Sequence, residues 1–313
     1  MSANANVATR VVPAKDAERA HRFRLICGYT LAVGLIAGLA VYGFDYYTLS
    51  SADRPFSPKH VLLRPSGAIG LKLGVLGLLM FLAIFLYPLR KCWPWLSRQG
   101  SSRHWLDIHV LLGLSAPFII AFHSSFKFRG FAGMAFWFML AVAISGVVGR
   151  YLYAQIPRSL NTAELSLREL QEMQIQLLQK LQHQELLPAD DLQSLWRLPS
   201  AEVVQKLSPV GALAYMMALD VGRGFRIARL RRHRLGWSGK VATVGGFLPT
   251  RHVHLEKAIQ TARQEAATAK RVLFLGQAQR VFHFWHVVHR PFSYTFALLA
   301  LIHLVVVAAM GYF

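Results

Sequence analysis

Four histidines in two apolar segments stand at a repeated interval in this sequence. His109 and His123 are fourteen residues apart, and so are His289 and His303. Fourteen residues of α-helix make just under four turns, so each pair shares one helix face at a separation of about 21 Å. An imidazole in hydrocarbon is unfavourable without a partner, and its ring nitrogens are common metal ligands. The spacing predicts two sites at two depths, each with one histidine from either segment.

Two imidazoles at each depth favour heme over a bare metal ion. Structural zinc takes four protein ligands, whereas here only Asp107 lies near the histidines in sequence. A porphyrin supplies four nitrogens and asks the protein for two axial ligands. We therefore expect two hemes b, with His109 and His289 on the iron of an inner heme and His123 and His303 on the iron of an outer heme.

The segments that carry these histidines indicate an all-α integral membrane protein. Of 313 residues, 54% are hydrophobic and 16% are charged, and the apolar residues occur in blocks. A helix needs about 20 apolar residues to cross the hydrocarbon core, and backbone groups in lipid must bond within their own segment. Five blocks are long enough. We predict a bundle of five transmembrane helices at residues 25–47, 67–89, 106–126, 131–153 and 291–313.

Positive charge predicts which ends of the helices face the cytoplasm. The chain has 35 Lys and Arg against 15 Asp and Glu, a net charge of +20. Its cations concentrate in the tail 1–24, the loop 90–103 and residues 154–280, which the positive-inside rule places in the cytoplasm. We expect a plasma (inner) membrane protein with its N-terminus inside and helices three and five parallel. The net positive charge would also attract anionic lipid. The sequence contains no element typical of nucleic-acid binding, so we do not interpret the charge as a nucleic-acid site.

A large, mostly helical insert is expected between helices four and five. The predicted organisation is a tail at 1–24, helices one to four within 25–153, the insert at 154–280, and an interfacial segment with helix five at 281–313. Capping signals and leucine spacing predict an amphipathic helix at 161–187, and a further helix from about 253 to 283 leads into helix five. The stretch "RLRRHRLGWSGK" at 229–240 is interpreted as a basic loop that docks a redox partner or lies on the membrane.

Cations near the four histidines are candidates for contacts with heme propionates, which need charged or hydrogen-bonding neighbours. They are Arg103, Arg150 and Arg290 on the inner side and Lys127 and Arg129 on the outer side. Membrane topology and snorkelling account for them equally well. Gly113, between His109 and His123, would let a macrocycle approach the backbone, although glycine is common in membrane helices. His286 falls off the ligand face and is interpreted as interfacial.

The paired H-x13-H spacing on the third and fifth helices resembles the membrane domain of ferric reductases and NADPH oxidases, and more loosely the di-heme cytochrome b subunits of respiratory complexes. The resemblance covers helices two to five and implies electron transfer through two b hemes. It departs from the reductases because no sixth helix and no flavin or nicotinamide module are found, and residues 154–280 contain no G-x-G-x-x-G motif. Cys27 and Cys92 stand alone, without a Cys-x-x-Cys-His site for covalent heme.

These features together predict an electron-transfer subunit of an oxidoreductase complex, with no catalytic residue of its own. Electrons would pass between a cytoplasmic-side or quinol donor and an acceptor on the other side. The expected partners are redox proteins of the iron–sulfur, flavoprotein or cytochrome c classes, and quinone. Two alternatives stay open at this point: a histidine-based metal or proton transporter, and a structural membrane anchor of a larger complex.

Overall fold

The computed structural model describes residues 14–156, 198–234, 243–250 and 253–311, and every regular element within these ranges is a helix. The long helices are α1 (Ala14–Tyr42), α2 (Ala68–Cys92), α3 (Ser102–His123), α4 (Gly130–Gln155), α5 (Pro209–Arg234), α6 (Val253–Leu273) and α7 (Leu275–Ala309). In the described residues, α1 to α4 and α7 are long and apolar enough to cross a membrane. The predicted all-α fold with five membrane-spanning helices is therefore confirmed.

The ends of the first and third helices differ from the predicted ends. α1 stops at Tyr42, and Phe44–Tyr47 forms a separate turn of helix. α3 ends at His123 because Ser125 and Phe126 adopt left-handed backbone, with φ of 50° and 59°. L-residues leave the helical region at such angles, so the apolar block extends beyond the helix that it forms. Apolar composition located these helices and local backbone geometry set where they end.

The segment that leads into the fifth helix is helical, with one interruption. The predicted helix from about 253 to 283 is replaced by α6 and α7, which are separated at Phe274. α7 therefore begins well before the predicted start of the membrane span at residue 291, because a helix need not end where the hydrocarbon does. The amphipathic helix predicted at 161–187 lies outside the described residues.

Two compact units make up the chain. The first unit comprises Met1–Val148 with Val288–Phe313, and the second unit comprises Gly149–Val287. In the first unit α3 packs most extensively against α2 and next against α1. Gly77 permits the close approach of α2 and α3, because a Cβ at this position would lie 2.3 Å from Cδ1 of Ile120. Buried apolar side chains fill the first unit's core: Leu73, Met80, Ile119, Phe122, Phe136 and Met139.

A buried arginine fastens the connection between α1 and α2 to the end of α3. Arg54 is only 7% exposed. Its Nη2 donates to the Tyr47 carbonyl at 2.9 Å, its Nε donates to the Leu49 carbonyl at 3.2 Å, and its Nη1 donates to the Ser125 carbonyl. These charged hydrogen bonds satisfy carbonyls that no helix uses, so Arg54 has a structural role.

Arg90 does the same for the connection between α2 and α3. Its guanidinium donates to the Ser102 hydroxyl at 2.6 Å and to the carbonyls of Ser97 and Gly100 at 2.8 Å. Ser101 then caps α3 by accepting from the backbone N–H of His104 at 3.3 Å. The short connection is thereby held in one conformation, and α3 begins at a fixed place beside α2.

The predicted basic loop at 229–240 is wrong in its described part, because residues 229–234 continue α5. Arg231 lies buried there and donates to both oxygens of Glu256 on α6, at 2.9 and 2.6 Å. A guanidinium paired with a carboxylate in this way is not available to dock a partner. Arg229 and Arg232 remain exposed on the same helix.

Candidate functional site

His109 is held by a hydrogen bond to a backbone carbonyl of α2. Its Nδ1 lies 3.0 Å from the carbonyl oxygen of Ile84. In a regular helix this oxygen would accept from the residue four positions later, but that residue is Pro88, which has no N–H. The imidazole therefore supplies the donor that the helix lacks. Because a carbonyl only accepts, Nδ1 carries the proton and the lone pair is on Nε2.

His123 is oriented in the same way, four turns further along α3. Its Nδ1 donates to the carbonyl oxygen of Gly70 at 2.8 Å. The ring lies directly against Gly74, where an added Cβ would approach its Cε1 to 2.7 Å and its Nδ1 to 2.9 Å. Only glycine at this position leaves room for the imidazole. The lone pair of His123 is again placed on Nε2.

His289 of α7 contacts a hydroxyl of α4. Its Nδ1 lies 2.6 Å from Oγ of Ser145, and the same Oγ donates its proton to the carbonyl of Val142 at 2.9 Å. A serine has one hydroxyl proton, so towards His289 the oxygen acts as acceptor. His289 consequently donates from Nδ1 and carries its lone pair on Nε2, as the two α3 histidines do.

His303 is the second histidine of the predicted outer pair, with His123, and it lies in α7. Both side chains belong to the first unit and are partly buried. The structure thus places both histidines of the predicted outer pair in the same unit, one on α3 and one on α7.

α7 packs into the first unit through aromatic side chains rather than by close backbone contact with α3. Phe292 contacts Phe138 of α4 and Phe296 contacts Phe81 of α2, with ring centroids 5.6 Å apart in each case. Along the described helices, α7 does not approach α3 as closely as α2 does. A flat macrocycle ligated from both sides needs such a separation, since two imidazoles and the iron must fit between the helices.

Gly113 fits the same requirement. It lies one turn after His109 on the face of α3 that also carries His123. A Cβ added to Gly113 would meet no atom within 4 Å. The imidazoles carry their lone pairs on Nε2, where they could bind iron. This arrangement and the open space beside α3 are both compatible with a b heme.

The five cations that were predicted to contact heme propionates lie in different surroundings. Arg103 is 3.9 Å from Glu18, and exposed Arg290 is 3.4 Å from the hydroxyl of Tyr294. Lys127 and Arg129 are exposed on the turn after α3. Arg150 belongs to the second unit. These residues stay candidates for propionate contacts.

Sequence reasoning missed a histidine–aspartate pair at the start of α3. His21 of α1 lies 3.1 Å from Asp107, and both side chains are at least nine-tenths buried. The ring of His104 stacks on His21 with centroids 3.7 Å apart, and His104 is 3.4 Å from Glu18. These contacts tie the start of α1 to the start of α3. The signal was present in the charged residues near the beginning of both apolar blocks.

The described residues contain no group of three or more His, Cys, Asp or Glu side chains that could hold a metal ion. Heme needs only two axial ligands from the protein, so a bis-histidine site does not depend on such a group. Comparison with known protein families, curated proteins and solved structures found no match for this chain.

Proposed function

We propose that the chain is a di-heme b-type cytochrome, with His109 and His289 as axial ligands of an inner heme and His123 and His303 as axial ligands of an outer heme. The observation that carries this proposal is the hydrogen bonding of the imidazoles. Three of the four donate Nδ1–H to a neighbouring helix, which fixes the ring and leaves Nε2 to bind iron. Metal-binding histidines are characteristically held by this kind of bond.

The proposed role is transfer of single electrons across the plasma membrane. When bound, the hemes would supply two redox centres at two depths, about 21 Å apart along the ligand helices. The donor would be a cytoplasmic-side redox protein of the iron–sulfur or flavoprotein class, or a quinol. The acceptor on the other side would be a redox protein such as a cytochrome c. The hydrogen bonds to Ile84, Gly70 and Ser145 would orient His109, His123 and His289 as ligands.

Heme content of single variants tests the assignment. We expect two hemes per chain in the purified wild type and a reduced-minus-oxidised spectrum typical of b-type heme. His109→Ala or His289→Ala should remove the inner heme, and His123→Ala or His303→Ala should remove the outer heme, because each variant loses one of the two axial ligands. His286→Ala is the control and should retain both. A fully loaded His303→Ala protein would exclude the outer pair, and a wild type without porphyrin would exclude the whole proposal.

A further inference from the structure

A cavity of about 830 Å³ lies within the second unit. One face of α5 lines it with Asp220, Arg223 and Arg231, which are spaced three and eight residues apart. One face of α6 lines it with residues from Glu256 to Arg271 at intervals of three and four. Helical periodicity thus brings two charged faces to the same space. The volume is in the range of about 300–1,000 Å³ that is typical of small-ligand sites.

Positive charge exceeds negative charge in this cavity. Its cations are Arg223, Arg231, Arg263, Lys270 and Arg271, and its acids are Asp220 and Glu256. Glu256 is used by Arg231, and Asp220 accepts from both Lys270 and Arg223. In the described part of the chain Arg263 and Arg271 have no acidic partner. Among the described lining residues, five cations and two acids leave an excess of three positive charges.

Within the described ranges, two buried polar atoms of the lining residues lack a hydrogen-bond partner. Arg223 is 5% exposed, and its Nε has none. Gln155 is 8% exposed, and its Oε1 has none. Buried donors and acceptors are normally satisfied, because an unmade hydrogen bond costs free energy. Two residues that line the cavity thus contain polar atoms whose hydrogen bonds are unmade.

The cations also oppose one another. Burial lowers the pKa of the Lys270 amine, Asp220 raises it, and the charges of Arg223 and Arg271 lower it further. Burial likewise lowers the pKa of Arg223, and Arg263 adds to this effect against the attraction of Asp220. An anion between these groups would relieve the repulsion and replace part of the lost hydration.

We propose that this cavity binds a small organic anion that carries phosphate, either the headgroup of an anionic phospholipid or a soluble phosphate ester. Arginine binds phosphate through two parallel hydrogen bonds, and the three excess charges match a ligand with two or more negative charges. The volume leaves room for an organic group beside the phosphate. The proposal is independent of the heme assignment, since every residue in it belongs to the second unit.

A concave site whose lining includes a buried arginine favours a small ligand over an acidic protein surface. Arg223 is 5% exposed and could not meet a protein that stayed outside the cavity. Of the lining cations, Arg263 and Arg271 are exposed. Arg229 and Arg232 of α5 are equally classed as exposed but do not line the cavity. These two arginines provide a matched control.

Calorimetric titration of the full chain in a zwitterionic detergent tests the proposal. The probes are inorganic pyrophosphate for a soluble ligand and dihexanoyl phosphatidic acid for a lipid headgroup, with dihexanoyl phosphatidylcholine as the neutral comparison. We expect saturable binding of at least one phosphate probe and none of phosphatidylcholine. Tighter binding of pyrophosphate would identify a soluble ester, and tighter binding of phosphatidic acid would identify a lipid. No saturable binding of either at millimolar concentration would overturn the proposal.

A pair of double variants distinguishes the cavity from general surface charge. Arg263→Gln with Arg271→Gln removes two lining cations, and Arg229→Gln with Arg232→Gln removes two exposed cations outside the cavity. Both change the net charge equally. We expect the first pair to weaken binding by about tenfold or more, because charged hydrogen bonds are lost, and the second by less than about twofold. Equal weakening by both pairs, with unchanged thermal unfolding, would overturn the site.

Discussion

Ser145 sets the orientation of His289, and its removal is the sharpest test of a single hydrogen bond. In Ser145→Ala the Nδ1–H of His289 loses the acceptor 2.6 Å away. Loss of such a partner typically weakens metal binding by about 10- to 100-fold, so we expect an inner heme that is retained poorly on dilution. Ser293→Ala is the control, because its hydroxyl donates to the His289 backbone carbonyl at 2.8 Å and not to the ring. Equal heme retention in both variants would contradict this role.

Gly74 makes room for His123. In Gly74→Ala the new methyl group would lie 2.7 Å from the imidazole Cε1, so the ring must move and its bond to the Gly70 carbonyl must lengthen. We expect the outer heme to be lost or its midpoint potential to shift, measured by heme content and redox titration. Gly38→Ala in α1 adds a methyl group that meets nothing within 4 Å and should leave both hemes unchanged. An unaltered Gly74→Ala spectrum and potential would argue against the proposed ligand.

The sequence identified the four histidines by spacing alone, but it did not identify their hydrogen-bond partners. A spacing of fourteen residues places two histidines on the same face of an α-helix, whatever surrounds that helix. The acceptors for His109 and His123 come from α2, and the acceptor for His289 comes from α4, so they depend on how helices pack. Pro88 is the exception. A proline four residues after Ile84 always leaves that carbonyl without a helical donor, which indicates a place where another helix can donate.

Glu265 on α6 gives the second unit a pH-dependent stability. Burial raises the pKa of its carboxyl from 4.5 to about 7, and its Oε2 is buried without a partner. The folded chain keeps a proton that the unfolded chain releases, so the free energy of unfolding falls as the pH rises from about 4.5 to about 7 and is constant above. Glu265→Gln should abolish this fall and be more stable than wild type at pH 8, as measured by thermal unfolding.

The control for this prediction is Glu202→Gln, which changes an exposed carboxylate of the same unit. Its unfolding temperature should follow the wild-type pH profile. If Glu265→Gln ran parallel to wild type over the whole range instead, the burial of Glu265 would have no energetic consequence.

The positions of the helices could be predicted from the sequence better than which of their side chains are exposed. Blocks of apolar residues located all five membrane-spanning helices, since length and composition decide them. The run of arginines at 229–234 was misread as a loop because its charge suggested exposure. Arg231 is instead buried, and it donates a hydrogen bond to Glu256, which is 25 residues away in the chain. Such a pairing depends on how α5 meets α6, and no local pattern contains it.

In the first unit as a whole, contacts at opposite ends make α1 and α3 parallel. His21 meets Asp107 where both helices begin, and Arg54, which follows α1, donates to the Ser125 carbonyl just after α3. α7 is the fifth of the described helices that are long and apolar enough to cross a membrane. A chain that crosses the membrane five times requires these three helices to run in the same direction. If α3 and α7 are parallel, His109 and His289 lie towards one membrane face and His123 and His303 lie deeper, as the proposed two-heme arrangement requires.

The arrangement of charge over the whole molecule leads to a prediction of sidedness. The N-terminal tail, the loop 90–103 and the insert at 154–280 should all face the cytoplasm, because their cations are retained on that side during insertion. The same protease recognition site is placed either between Pro199 and Ser200 or between Ser51 and Ala52. We expect the first to be cut only in inverted vesicles and the second only in intact spheroplasts. Cutting at 199/200 in spheroplasts would reverse the topology and exchange the inner and outer hemes, while the histidine pairs themselves would remain the same.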